Sequence, residues 1–255
     1  MLFEDEHLLA LDKPALLLIS PDRSDPQRPD LTKLLHDGIR RGVPWAAQRG
    51  LSYLMIAHRL DFETSGVLLL AKSRSVLSKL ADLFGSEKAS ITYVALLQGT
   101  PSFDAMLVEA RLAPHPLQAG VMKVDDKRGK RSRTQLRIRE RFDGYTLVEG
   151  QVWTHRPHQL RAHLRHIGFP IAGDSTYGGA PLLLSQLKSK YRLKPNKTER
   201  PLLSEPGLHA ESLSLPHPVT GAETTIKSEV PKPLSVAIKY LRRYAASLRD
   251  AQAEG

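Results

Sequence analysis

The chain has 255 residues, 41% of them apolar, with 37 lysines and arginines against 27 aspartates and glutamates, a formal net charge of +10. This length and apolar share suffice for a buried core and exclude global disorder, and the charge points to a polyanionic partner, nucleic acid or an anionic membrane. The absence of cysteine excludes disulfides, thiolate metal sites and a cysteine nucleophile, and it fits a cytoplasmic protein.

The first residues, MLFEDEHLLALDKPALLLIS, lack the basic n-region of a signal peptide. No run approaches the roughly 20 apolar residues that span a bilayer. A soluble protein that meets RNA, DNA or another acidic surface is expected. Residues 2–12 read as a strand pair around the acidic turn Glu4-Asp5-Glu6, and the apolar run between Pro14 and Pro21 as an extended segment. The polar, proline-rich residues 22–30 read as a loop, ending at Asp30 as the cap of a helix from about Leu31 to Arg41. The segment YLMIAHRLD is strand-like, as is Val67 to Ala71 after Gly66. Residues 73–84 place Val76, Leu77, Leu80, Leu83 and Phe84 at helical spacing. ITYVALLQG reads as a strand, and 106–153 as several β-runs separated by turns such as Asp143-Gly144. HQLRAHLRHIG reads as a helix after Pro157, stopped by Gly168. Residues 185–207 suit a mobile loop, and 232–249 a last helix. With no internal repeat and no linker, the class expected is α+β with mostly antiparallel pairing.

Three groups of residues carry candidate chemistry. His58-Arg59-Leu60-Asp61 sits where a strand leaves the sheet for Thr64-Ser65-Gly66, a common address for functional groups on a rigid scaffold. There Asp61 serves as nucleophile, base or anchor for a cation, or simply as a turn-forming residue. Tyr93 lies in a strand, where aromatics are usual. The stretch 154–179 holds His155, His158, His163 and His166. Their spacing invites a metal reading, but the His-Glu-x-x-His pattern of zinc hydrolases is absent. Arg161 and Arg165, one turn apart, instead offer guanidinium groups to phosphate or carboxylate. The cationic runs KRGKRSR (127–133) and KSKYRLKPNKTER (188–200) read as loops that contact phosphate rather than read bases, or as ordinary solubilising loops.

HRLDFETSGVLLLAKS resembles the signature of the RluA/RsuA type of RNA pseudouridine synthase, His-Arg-Leu-Asp-x-x-Thr-Ser-Gly followed by apolar residues. Other blocks resemble the same family in the same order: FEDEHLLALDKPALLLISP at the opening, TYVALLQG around the tyrosine-bearing strand, GKRSRTQLRI, HQLRAHLRHIGFPIAGDSTYG, and LHAESLSLPHPVTG near the end. The similarity spans about residues 2–233 and is closer to the RluA type.

The resemblance implies a single catalytic domain over 1–255 without an N-terminal S4-type RNA-binding module. Its fold would be the pseudouridine synthase catalytic fold, a long, bent, mainly antiparallel mixed sheet with flanking helices and loops. It implies isomerisation of uridine to pseudouridine in ribosomal or transfer RNA, without cofactor or metal; a monomer is expected, although oligomeric state is not readable from the sequence. Carried onto this chain, Asp61, Tyr93 and Arg161 are the catalytic residues. Asp61 acts on the ribose, Tyr93 stacks on the base, and Arg161 pairs with Asp61 and keeps it ionised. Arg59 fills the space left by the flipped nucleotide. His58, Thr64, Lys13, His158 and Gln159 complete the substrate-binding set, and the apolar run after Gly66 walls a dry pocket. Lys127, Arg128, Lys130, Arg131, Lys188, Lys190 and Arg192 contact the RNA backbone, with Lys194 in the same cationic run. A catalytically silent RNA chaperone of the same fold is the alternative. Departures from the family pattern are Leu16 and His155 in place of glycines, Pro157 in place of a small hydroxyl residue, and Ile91 in place of a basic one.

Overall fold

The structure, a computed structural model, describes residues 1–22, 25, 27–193 and 196–246. It gathers into two compact units. The first contains Met1–Thr92, Trp153–Pro157 and Ala210–Glu229; the second contains Tyr93–Val152, His158–His209 and the chain from Val230 on. In both, strands outnumber helices and antiparallel ladders dominate, the α+β class expected from the sequence.

The first unit is organised on strand β4 (Ser65–Ala71). All seven of its residues are buried, and Val67, Leu68, Leu69 and Leu70 are fully enclosed. A strand covered on both faces reads as an unbroken apolar run, and each such side chain contributes about 1.5–3 kcal/mol of burial. The strand β1 (Phe3–Glu4) pairs with β2 (Leu8–Lys13), and β2 pairs with β4 from Leu8↔Ala71 to Lys13↔Gly66. The short β3 (Met55–Ile56) also runs against β4. Helix α1 (Leu31–Arg40) is capped by Asp30, whose carboxylate accepts from the Lys33 amide at 3.0 Å. A short helix, α2 (Pro44–Ala47), follows it. Helix α3 (Arg74–Gly85) is capped by Ser73, whose hydroxyl accepts from Val76 N–H at 3.3 Å. Each cap contributes about 1 kcal/mol.

In the second unit the strands are β5 (Ser90–Gln98) from Tyr93 on, β6 (Ala105–Pro114), β7 (Met122–Val124), β8 (Lys130–Phe142) and β9 (Tyr145–Val152). Their order is β5-β9-β8-β6-β7. Alternation along these strands builds two cores. Ala95, Leu97, Val108, Leu136 and Val148 pack with Leu160 and Leu164 of α4 (Gln159–His166). Val94, Leu96, Phe142 and Leu147 pack with Leu234, Ala237, Ile238 and Leu241 of α6 (Lys232–Tyr244). A β-bulge between Ile138 and Glu140 shifts the register of β8, so Ile138 joins the first core and Phe142 the second. Along the chain, helix α5 (Leu184–Leu187) follows α4 and precedes the two last strands, β10 (Leu208–Pro216) and β11 (Glu223–Lys227), which pair with each other.

Several expectations need correction. The extended run 14–20 is turn and bend, with Leu16 at φ 63°. The strand expected to reach Leu60 stops at Ile56. The basic run 127–133 is a loop only to Gly129, because β8 begins at Lys130. The stretch 185–207 opens on α5 and is tied down by buried Leu203, whose carbonyl accepts from Leu182 N–H at 3.0 Å. The last helix ends at Tyr244; positions 247–249 and Lys194 lie outside the described residues.

Candidate active site

His58 explains why β3 is short. Ala57 N–H still donates to Leu69 O at 2.8 Å, but the next bond from β4 goes to a side chain, with Leu69 N–H donating to His58 Nε2 at 3.0 Å. The imidazole stands in for a backbone carbonyl and releases the chain from the ladder. Burial pushes His58 down to about 3, aided by the neighbouring His155, so its acceptor nitrogen stays unprotonated. Arg59 is then exposed, Leu60 is buried, and Asp61 opens a turn closed by Thr64 N–H donating to Asp61 O at 3.1 Å. Thr64 and Ser65 are buried in that turn. Gly66 returns the chain to β4 at φ 117°, and a Cβ there would collide with the backbone of Ala210 in β10. No other residue fits both constraints.

Lys13 fixes the outside of the same turn. It is 1% exposed, and its ammonium donates to the carbonyls of Pro14 (2.9 Å), Leu17 (3.0 Å) and Phe62 (3.2 Å). These three bonds use all three of its donors. The Phe62 carbonyl also accepts from Leu16 N–H at 2.8 Å. Burial pushes Lys13 down to about 8, against the pull of the Asp61 and Glu63 carboxylates. A cation of this kind both ties residues 14–17 to the turn and supplies positive charge near Asp61. Leu16, where the family pattern has glycine, adopts the left-handed conformation that glycine would take freely.

The second unit arranges its candidates around α4. Arg161 and Asp174 form a buried, two-pronged ion pair: Nε donates to Oδ2 at 2.7 Å and Nη2 to Oδ1 at 2.8 Å, with side chains 1% and 0% exposed. Bidentate pairs of this geometry are among the strongest charge-assisted bonds. The guanidinium also lies 5.1 Å from the centre of the Tyr177 ring. Asp174 sits in a tight loop: Gly173 has φ 82°, and a Cβ there would strike the Glu205 backbone. Tyr177 closes the arrangement, accepting from Met122 N–H at 2.9 Å and lying 3.1 Å from His158 Nδ1.

A second network pins α4 to β8, and its proton directions can be worked out. Ser132 Oγ donates to Ala110 O at 2.7 Å, so it accepts from His163 Nε2 at 3.1 Å. His163 Nδ1 then accepts from Thr134 Oγ1 at 2.9 Å, and Thr134 accepts from Gln159 Nε2 at 3.1 Å. Gln159 also donates to Arg133 O at 3.0 Å. Burial pushes His163 down to about 4, which preserves the neutral tautomer this chain requires. Two of the four histidines that suggested a metal are thus hydrogen-bonded to hydroxyls, and among the described residues no group of three or more His, Cys, Asp or Glu is placed to hold a metal ion.

The sequence-predicted residues therefore fall into two groups. Lys13, His58, Arg59, Asp61 and Thr64 share one turn in the first unit, while Tyr93, His158, Gln159 and Arg161 belong to the second. Tyr93 is half-buried and packs against the core beneath α4. Lys127 and Arg128 are exposed on the β7–β8 turn, where both amides donate to Asp125 Oδ1. Lys130, Arg131, Lys188, Lys190 and Arg192 are also exposed. His155 does not have a positive φ, so its replacement of glycine leaves the loop path ordinary there. His155 instead packs edge-on against Phe84, which also contacts His58. Pro157 stands one residue before the helix cap, His158, which takes the left-handed conformation at φ 48°. Asp174 is the functional candidate the sequence reading missed; its signal was the Gly173-Asp174-x-x-Tyr177-Gly178 spacing, quoted as a family block but given no role.

Comparison with known proteins decides the family. Residues 7–166 match the model of the RNA pseudouridylate synthase family. The chain belongs to that family. It is 32% identical to ribosomal large subunit pseudouridine synthase D of Xylella fastidiosa over 252 residues, 96% of this chain and 70% of the relative. It is 34% identical to ribosomal large subunit pseudouridine synthase C of Yersinia pestis over 247 residues, again 96% and 70%. The solved structure of human RNA pseudouridylate synthase domain containing 4 shares its fold, with a TM-score of 0.68, 23% identity and 94% and 92% coverage. This synthase is thus an isomerase of the RluA type. Among its described residues no helix is long and apolar enough to cross a membrane.

Proposed function

We propose that this synthase isomerises uridine in large-subunit ribosomal RNA, with Asp61 as the residue that acts on the ribose. The observation that carries the assignment is the His58–Thr64 turn. It holds an aspartate at a strand exit, locked from below by Gly66 against Ala210 and from the side by buried Lys13. Relatives aligned over 96% of this chain and 70% of their own length carry the name ribosomal large subunit pseudouridine synthase, which supports the ribosomal substrate. The reaction breaks the N1–C1′ bond, turns the uracil, forms C5–C1′, and moves the C5 proton to N1. Whether the carboxylate attacks C1′ or removes a ribose proton, it must be held in place, and Lys13 pins the Phe62 carbonyl of its turn. Arg59, exposed beside Asp61, fills the stack vacated by the flipped uridine, which offsets the few kcal/mol that unstacking costs. Tyr93 stacks on the extruded base, and Arg161, oriented by Asp174, is the third catalytic residue.

The target is tested by tritium release from C5-labelled uridine. Large-subunit ribosomal RNA, small-subunit ribosomal RNA and transfer RNA are offered separately to the purified protein. Release from the large-subunit RNA alone is expected. Release only from transfer RNA would overturn the substrate assignment while leaving the isomerase intact.

A further inference from the structure

Strand β8 has two unlike faces. Ser132, Thr134 and Leu136 point inward and are buried against α4. Arg131, Arg133 and Arg137 alternate with them on the other side, and Arg131 and Arg137 are exposed. The ladder sets Arg111 of β6 opposite Arg131. The bulge at Ile138 adds Arg139, which donates to Glu149 at 2.9 Å, the residue paired with Arg137. One sheet face thus carries five arginines against three glutamates, Glu109, Glu140 and Glu149, with Glu109 3.4 Å from Arg131. Helix α6 covers only its far end, where Arg242 meets Glu140 at 2.7 Å.

The chemistry of this face selects its partner. Guanidinium forks bind phosphate oxygens in pairs. Alternate residues of a strand recur about every 6.8 Å, a spacing comparable to that of successive phosphates along an RNA strand. The exposed stretch of these strands carries no aromatic side chain to stack a base, so contacts there add affinity without reading sequence. We propose that the outward face of β6, β8 and β9 docks the sugar-phosphate backbone of the substrate RNA. This rests on the reading of the chain as a synthase of large-subunit ribosomal RNA, and it makes the strand, rather than only the Lys127–Arg128 turn, the main grip on the polymer.

The test compares the wild type, R131Q/R137Q/R139Q, and a control, K33Q/R40Q/R41Q, that removes equal charge from α1. Each is bound to a transcribed large-subunit ribosomal RNA fragment across a salt series, after melting curves confirm folding. The β8 variant is expected to bind about tenfold more weakly or worse near physiological salt, with the log–log salt slope shallower by about 2. The control is expected to keep the wild-type slope. Wild-type binding by the β8 variant, an equal loss in the control, or no RNA binding by the wild type would overturn the proposal. A wild type that grips this RNA through β8 yet releases no tritium from it would refute the large-subunit substrate assignment and leave the docking face standing.

Discussion

The Asp61 turn and the α4 region hold their functional side chains by opposite means. Around Asp61 the restraints are mostly backbone: a turn hydrogen bond, a glycine pressed against a neighbouring strand, and three carbonyls converging on Lys13. Around Arg161 they are side chains, an ion pair with Asp174 and a relay from Gln159 through Thr134 and His163 to Ser132. A backbone-built site tolerates side-chain change except where a residue type fits one conformation only. A side-chain-built site is fragile at every member, because each removal strands a buried polar group.

The largest effect should come from breaking the second arrangement. Asp174→Ala leaves the Arg161 guanidinium buried without its two-pronged partner, and a loss of about 3–5 kcal/mol is expected from urea unfolding. A loss below 1 kcal/mol would mean that Arg161 does not depend on Asp174.

Lys13 sharpens the contrast through pH. Its folded value, near 8, lies below the ordinary 10.5 because burial penalises the ammonium. The unfolded chain therefore binds more protons between those values, so Lys13 costs stability below pH 8 and that cost is relieved as pH rises toward 10.5. Relative to Lys13→Met, the wild type should gain stability between pH 8 and 10. A difference that is flat with pH would show that Lys13 keeps an ordinary affinity for its proton.

The smallest effect concerns Leu16. Asparagine tolerates the left-handed conformation better than leucine, so Leu16→Asn should raise stability by about 0.5 kcal/mol with no loss of tritium release. Destabilisation would show instead that the half-exposed leucine side chain contributes packing there.

The two regions also differed in how far the sequence revealed them. The turn was legible because Asp61, Thr64 and Gly66 are adjacent in the chain and each has a local reason for its type. Asp174 is not legible in the sequence, since its importance lies in a partner thirteen residues away that is set only when α4 packs. His58 was read as the interior of a strand, although its ring ends the strand by replacing a carbonyl. The run 127–133 was read as a loop from its charge and small residues. The period-two alternation of Arg131, Arg133 and Arg137 with Ser132, Thr134 and Leu136 was the overlooked sign of a strand.

The most direct test of the account is Asp61→Asn, a change that keeps the shape of the turn and removes the charge. Tritium release from C5-labelled large-subunit ribosomal RNA would be measured beside RNA affinity and melting temperature. Release is expected to fall at least about 1000-fold, with affinity and melting temperature close to wild type. Release within a few fold of wild type would contradict the role given to Asp61.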